Sequence, residues 1–362
     1  MSVFAYTSIV EAVLKLGVIF LLQIGNMDKL VLYAMLLCLL QLGVALFYRF
    51  YCISKFKETH FQFIIDRNIL KSVGGFSGWN LFAYLSIALE GQGTIIITNM
   101  FFGPAVVAAR IISVQVNTQV NQFVINFRNA INPQIIKKYA AEDYNGSKQL
   151  LLHSTKFSFY LMFILGLPVI LLAERVLQLW LGQVPEYSVI FLQLIVVQSL
   201  FWVFDSSFYT ALYTKGKMVE TALISPLPGF LQFPILYMLF KMGYSPVALS
   251  YAGITCFAML GLIIKPIMIC KIVGYTLRDI MSVFIPCVRV CLATIPIPVL
   301  LNYYLAKSLV NSFIICGTSI ICTLVVVFYL GIDCQIRNKI LHFTKNKFHQ
   351  LSFMKQGNQI RE

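Results

Sequence analysis

The sequence predicts an all-α integral membrane protein with about ten transmembrane helices, and three observations carry that prediction. The 362 residues are 59% hydrophobic and only 12% charged, with a mean hydropathy of +0.81. That is too little charge to cover a soluble domain of this size. Apolar stretches of about 20 residues, the length that crosses a bilayer as a helix, recur along the whole chain. The basic residues gather in every second connection between those stretches, which is how membrane proteins mark their cytoplasmic side.

Taken in order, the predicted spans are 4–23, 30–48, 74–102, 104–132, 155–173, 187–212, 218–240, 245–270, 278–304 and 308–331, followed by a polar basic tail, 332–362. Twenty basic residues fall on one side: Arg49 to Lys71, Lys137 to Lys156, Lys215 and Lys217, Lys265 to Arg278, and the tail. Only Lys29, Arg175, Lys241 and Lys307 fall on the other. The first set belongs in the cytoplasm, which puts both termini there and sets the basic tail against anionic membrane lipids. The net charge of +14 therefore reports topology and not a nucleic-acid partner. The first span starts at residue 4 with no charged segment or small-residue cleavage site, so it is no signal peptide. It reads as an internal helix of something longer. Residues 57–71 mix charge with Phe61, Phe63, Ile64 and Ile65, and read equally as an interfacial helix or a solvated linker.

The nine cysteines show no CxxC pattern or metal-ligand spacing, and the four histidines fall in polar loops or the tail. Cys287 and Cys291 share a helix face as small apolar packing residues. A metal or other cofactor is not expected. There is no nucleotide-binding loop, no Ser/His/Asp set and no sizeable external loop, the longest being 174–186. The chain is not expected to be an enzyme. A glycan polymerase would need a larger outer loop.

Of the ionisable residues inside predicted spans, seven are singled out: Glu11, Lys15, Glu90, Arg110, Arg128, Asp205 and Arg289. Each costs roughly 2.5–3.5 kcal/mol at the bilayer centre and normally faces protein or a wet cavity. Span 104–132 is the most informative. Arg110, Ser113, Asn117, Asn121 and Arg128 follow helical steps and share one face. Gln115, Gln119, Gln122, Asn126 and Asn129 line an adjoining face. A helix this polar cannot be surrounded by lipid. It either lines a water-filled path, the preferred reading, or is glued to neighbours by amide hydrogen bonds. Arg110 and Arg128 are about 27 Å apart along the axis. They read as two anion stations or as snorkelling side chains.

Glu90 sits in Glu90-Gly91-Gln92-Gly93, where the glycines can bend the helix and a desolvated carboxylate can couple transport to an ion. A structural hydrogen bond is the other reading. Asp205, followed by Ser206 and Ser207, is a second coupling candidate. Pro226, Pro228, Gly229 and Pro234 argue against a regular helix over 218–240. Glu11 and Lys15, one turn apart, read as an internal ion pair. Arg289, between Pro286 and Pro296, meets a lipid headgroup or one of the acids.

The stretch GWNLFAYLSIALEGQGTIIITNMFFGPAVVAARIISVQVNTQVNQFVINFRNAINPQIIKKYAAED (78–143) resembles the seventh and eighth helices of bacterial polysaccharide-biosynthesis flippases, members of the multidrug/oligosaccharidyl-lipid/polysaccharide exporter superfamily. KFSFYLMFILGLPVILLAERVLQLWLGQVPEY (156–187) resembles their next hairpin, and KMGYSPVALSYAGI (241–254) their twelfth helix. The resemblance implies a MATE-like architecture with an incomplete first lobe: a two-helix remnant with its linker (1–71), a second six-helix lobe (72–274), a final helix pair (275–331) and the tail. It implies flipping of undecaprenyl-diphosphate-linked oligosaccharide at the bacterial inner membrane by alternating access. Arg110, Asn117, Asn121, Arg128, Gln115, Gln119, Gln122 and Arg289 would then face substrate, while Glu90 and Asp205 would couple to H+ or Na+. A multidrug or organic-cation antiporter of the same superfamily, and a non-functional fragment of the flippase, are the alternatives.

Overall fold

The computed structural model describes residues 2–22, 28–56, 88–216, 226–306 and 308–333, with scattered positions in 67–86, Ile224 and 337–338. Most of the expected interfacial segment 57–71 and most of the basic tail lie outside the described residues. The described residues are helical and contain no strand. Six helices are long and apolar enough to cross a membrane, which makes the chain a multi-pass membrane protein: Val31–Lys55, Tyr144–Leu171, Ser188–Thr214, Ala248–Val273, Leu277–Tyr304 and Leu309–Gly331.

The chain forms two compact units, Met1–Val73 and Gly74–Glu362. In the first, α1 (Ser2–Leu21) packs on α2 (Lys29–Lys55). Glu11 takes an ion pair from Lys15 at 2.8 Å and a hydrogen bond from Gln41 at 2.9 Å. The expected pair forms but on an exposed surface of this unit and not internally, and the Gln41 bond ties the two helices together.

The second unit begins, among its continuous helical residues, with a π-helical turn, Leu89–Gly93, that runs on into α3 (Thr94–Phe102). The Gly-rich stretch around Glu90 thus widens the helix by one residue per turn and does not break it, as π-bulges do. Gly103 then turns the chain at φ +79, a backbone region that glycine enters without steric cost, and Pro104 opens α4 (Pro104–Ala140) at once. Asp143 caps α5 (Tyr144–Leu171) by accepting the Gly146 amide at 2.8 Å. A short α6 (Ala173–Leu181) leads to α7 (Ser188–Thr214).

Residues 217–223 and 225 of the proline-rich span lie outside the described residues. From Leu227 to Lys241 that span is the regular helix α8, contrary to expectation. Pro228 falls in its first turn, where no amide partner is needed, and Pro234 is accommodated inside it. Next come α9 (Ala248–Val273), with two π turns, then α10 (Leu277–Thr294), α11 (Pro296–Tyr304) and α12 (Leu309–Val326). A Thr276–Asp279 capping box starts α10, and Lys148 of α5 pairs with Asp279.

Helices α5 and α7 hold the core. Tyr160, Met162, Phe191, Leu192, Phe208 and Leu212 are fully buried. Phe159 stacks on Phe204, which meets Phe284 edge-on. Hydrophobic driving force is weak between helices in lipid, so close packing at small residues supplies the attraction. A methyl group on Gly261 would lie 2.6 Å from the Phe201 carbonyl oxygen, and one on Gly166 would lie 2.8 Å from Val196. Helices α10 and α12 pack on α5. There Lys156, 5% exposed, pairs with Asp333 at 2.9 Å, and Tyr160 donates to the Gly331 carbonyl. Lys156 therefore belongs inside a helix and not to a cytoplasmic connection.

Candidate functional site

Helix α4 is 37 residues long yet is not among the six apolar spans. Its polar residues fall on two sides. The side carrying Ser113, Asn117, Asn121 and Arg128 is turned into α7. The Ser113 hydroxyl lies 2.9 Å from the Ser188 carbonyl oxygen. Asn117 and Asn121 donate to the Ser199 hydroxyl at 2.9 and 3.2 Å, so one serine serves two amides. Arg128, 9% exposed, donates to the hydroxyl and carbonyl of Ser206 and to Thr210 Oγ1, the last at 3.0 Å. Arg110 reaches α9, donating to Ser250 Oγ at 3.3 Å, and its guanidinium lies 5.7 Å from the centre of the Phe191 ring. This side is a helix–helix contact built of side-chain hydrogen bonds, the alternative to the expected open path. Its hydrogen-bond acceptors are neutral and do not offset the charge of either arginine.

The path-like face is the other one. Gln115, Thr118, Gln119, Gln122, Asn126 and Asn129 are all exposed, and Gln122 donates to Asn126 at 3.0 Å. At 3.6 residues per turn this arc lies roughly opposite the contact with α7, not beside it as the spacing first suggested.

Glu90 and Asp205, on different elements, complete the charged set. Asp205 on α7 pairs with Lys265 on α9 at 3.8 Å. Lys265 is 1% exposed and its ammonium lies 5.1 Å from the centre of the Tyr209 ring. Asp205 Oδ1 is buried and, among the described residues, has no hydrogen-bond partner at that separation. Glu90, half-buried in the π turn, faces α8 where Gly229 leaves room: a methyl there would lie 3.7 Å from Oε2. Its charge acts on Arg110 and is felt with that of Asp205, which in turn acts on Arg128 and Lys265. Three cations and two acids thus form one interhelical network, in which a pair is strong only where solvent is excluded.

Lys265 was not among the expected site residues. Beside Pro266 it reads as the basic edge of a connection, yet it lies deep in α9. The hydroxyls that receive α4, Ser199, Ser206 and Thr210, form a stripe at helical spacing on α7, a signal present in the sequence. Arg289 is exposed on α10 between Ile285 and Leu292 and does not join the network. A separate open cavity of about 650 Å³ lies by the 182–187 connection, lined by Glu174, Gln178, Glu186, Tyr187 and Gln193 among others. It contains none of the expected residues.

These features define a multi-pass helical membrane protein with a buried network of opposite charges beside an uncharged polar helix face. Compared with known protein families, curated proteins and solved structures, the chain matches none.

Proposed function

We propose that the chain moves a lipid-linked oligosaccharide, of the undecaprenyl-diphosphate type, from the inner to the outer leaflet of the bacterial cytoplasmic membrane by alternating access. The observation that carries this reading is the exposed amide face of α4. Hydrocarbon cannot satisfy a row of amides, whereas a wet path for a hydrophilic headgroup can. The resemblance of 78–187 to polysaccharide flippases supports the same reading, and with it ten spans in a MATE-like arrangement and cytoplasmic termini. Arg110 and Arg128, hydrogen-bonded only to neutral partners in the contacts described above, supply positive potential for a diphosphate. Glu90 and Asp205 supply the acidic groups through which an H+ or Na+ gradient drives the cycle.

The second reading, an organic-cation antiporter, is favoured by the half-buried carboxylate of Glu90 alone. One assay separates the two. The purified chain is reconstituted in vesicles carrying a fluorescent polyprenyl-diphosphate oligosaccharide in one leaflet, and lectin accessibility at the other face is followed. The flippase reading expects protein-dependent appearance of the glycan, slowed at least tenfold by Arg110→Ala. Appearance no faster than in protein-free vesicles, together with ethidium exchange against a pH gradient, would replace it by the antiporter.

A further inference from the structure

We infer that the exposed face of α4 is a recognition track for the neutral hydroxyls of a glycan; the inference rests on the flippase reading and names which part of the substrate this face contacts. Three observations point to that ligand. First, the arc from Gln115 to Asn129 carries five primary amides and the Thr118 hydroxyl, and no charge. The one ionic residue of α4 within that stretch, Arg128, and Arg110 before it are hydrogen-bonded away from this face, toward α7 and α9. A face of this kind offers an anion no positive charge to pair with. Second, a primary amide both donates and accepts, as a sugar hydroxyl does, so neighbouring amides can bridge neighbouring hydroxyls. The Gln122–Asn126 hydrogen bond at 3.0 Å holds two of them in one orientation. Third, Phe123 stands beside this arc, next to Gln119 and Gln122, and is 59% exposed. An apolar ring flanked by amides suits the face of a pyranose, whose C–H groups stack while its hydroxyls bond at the rim.

The track is about 21 Å long at the usual helical rise, room for several sugar rings in a row. In this arrangement the diphosphate responds to the buried arginines through their field, and the sugars are held by direct contact.

The test is a binding measurement on the full chain in nanodiscs, which needs no transport. Saturation-transfer NMR is recorded with maltotriose and chitotriose as neutral probes, and equilibrium binding with inorganic pyrophosphate as the anionic one. Gln115, Gln119 and Gln122 are replaced together by Met, which preserves length and helix propensity and removes the amides. The expected result is trisaccharide binding that falls at least tenfold in the triple variant, with pyrophosphate binding unchanged. Phe123→Leu is expected to lower trisaccharide binding in the same way. Where the triple variant does not fold, Gln119→Met alone, adjacent to Phe123, is read instead, with at least a threefold loss expected. No detectable trisaccharide binding overturns the inference. So does binding indifferent to these substitutions, or a parallel loss of pyrophosphate binding, which would make the face a packing surface. Sugar binding without lipid translocation rejects the flippase reading and leaves this one standing. Translocation insensitive to the amides does the reverse.

Discussion

Breaking the Asp205–Lys265 pair from either side should have unequal consequences. The two charges are 3.8 Å apart, the ammonium 1% and the carboxylate side chain 19% exposed. With an effective dielectric of about 20, Coulomb's law gives an attraction of about 4 kcal/mol at that distance. Asp205→Asn removes the acid and leaves the ammonium buried without it. Loss of one partner of a buried pair costs about 3–5 kcal/mol, a fall of roughly 140- to 3,700-fold in the folding constant at about 1.4 kcal/mol per tenfold. Lys265→Met should cost less. The remaining carboxylate is the more exposed partner, and Arg128, hydrogen-bonded to the adjacent Ser206, lies within its field. The double substitution, which buries an amide and a thioether in place of two ions, should recover most of the loss. The assay is a double-mutant cycle on reversible unfolding in mixed micelles. A coupling below about 1 kcal/mol, or a double variant no more stable than Asp205→Asn, would refute the assignment of Lys265 to the interior of the bundle.

Two further outcomes follow from helix packing and capping. Gly261→Ala should destabilise by about 1–3 kcal/mol, the usual cost of forcing atoms into a packed contact, because its methyl would meet the Phe201 carbonyl oxygen at 2.6 Å. Gly317→Ala, with nothing within 4 Å, should be neutral or mildly stabilising, and thermal unfolding of the two side by side checks the difference. The Asp143 carboxyl is held below its usual range first by the Gly146 amide it accepts and then by Lys138. A depressed carboxylate stabilises above its unfolded value and loses that contribution as pH falls through its folded one. The stability gap between the protein and Asp143→Ala should therefore be constant near neutrality and close below about pH 4, as melting curves across that range will show.

Helix content was legible because runs of apolar residues of bilayer length have one structural solution. Of the ten runs, those over 155–173, 187–212, 245–270, 278–304 and 308–331 correspond to long apolar helices, as does the second run, 30–48. The polar residues of α4 were also legible as types and as faces. What spacing cannot show is which face is packed. The hydroxyls that take up Asn117, Asn121 and Arg128 lie 78 to 82 residues further along the chain, so the decision between a path and a contact rests on tertiary pairing. Lys265 was misplaced for a related reason. A lysine next to proline ordinarily marks a helix edge, and here π turns on either side let α9 continue through it.

The two sides of α4 then have different physical duties. Serine and threonine oxygens satisfy a guanidinium's hydrogen bonds without cancelling its charge, whereas carboxylates would do both. Arg110 and Arg128 are fixed by the first kind of partner, and Lys265 is paired directly with an acid. Two arginines held in this way put positive potential among helices whose surroundings screen it weakly. Under the proposed function, such a field would act across several ångströms on a diphosphate that never touches an arginine. It would leave the opposite, uncharged face of α4 free to discriminate among headgroups by their hydroxyls, as inferred above. On this account affinity and selectivity are separable: removing an arginine should weaken the response to every diphosphate carrier alike, and removing an amide should change only which glycan is preferred.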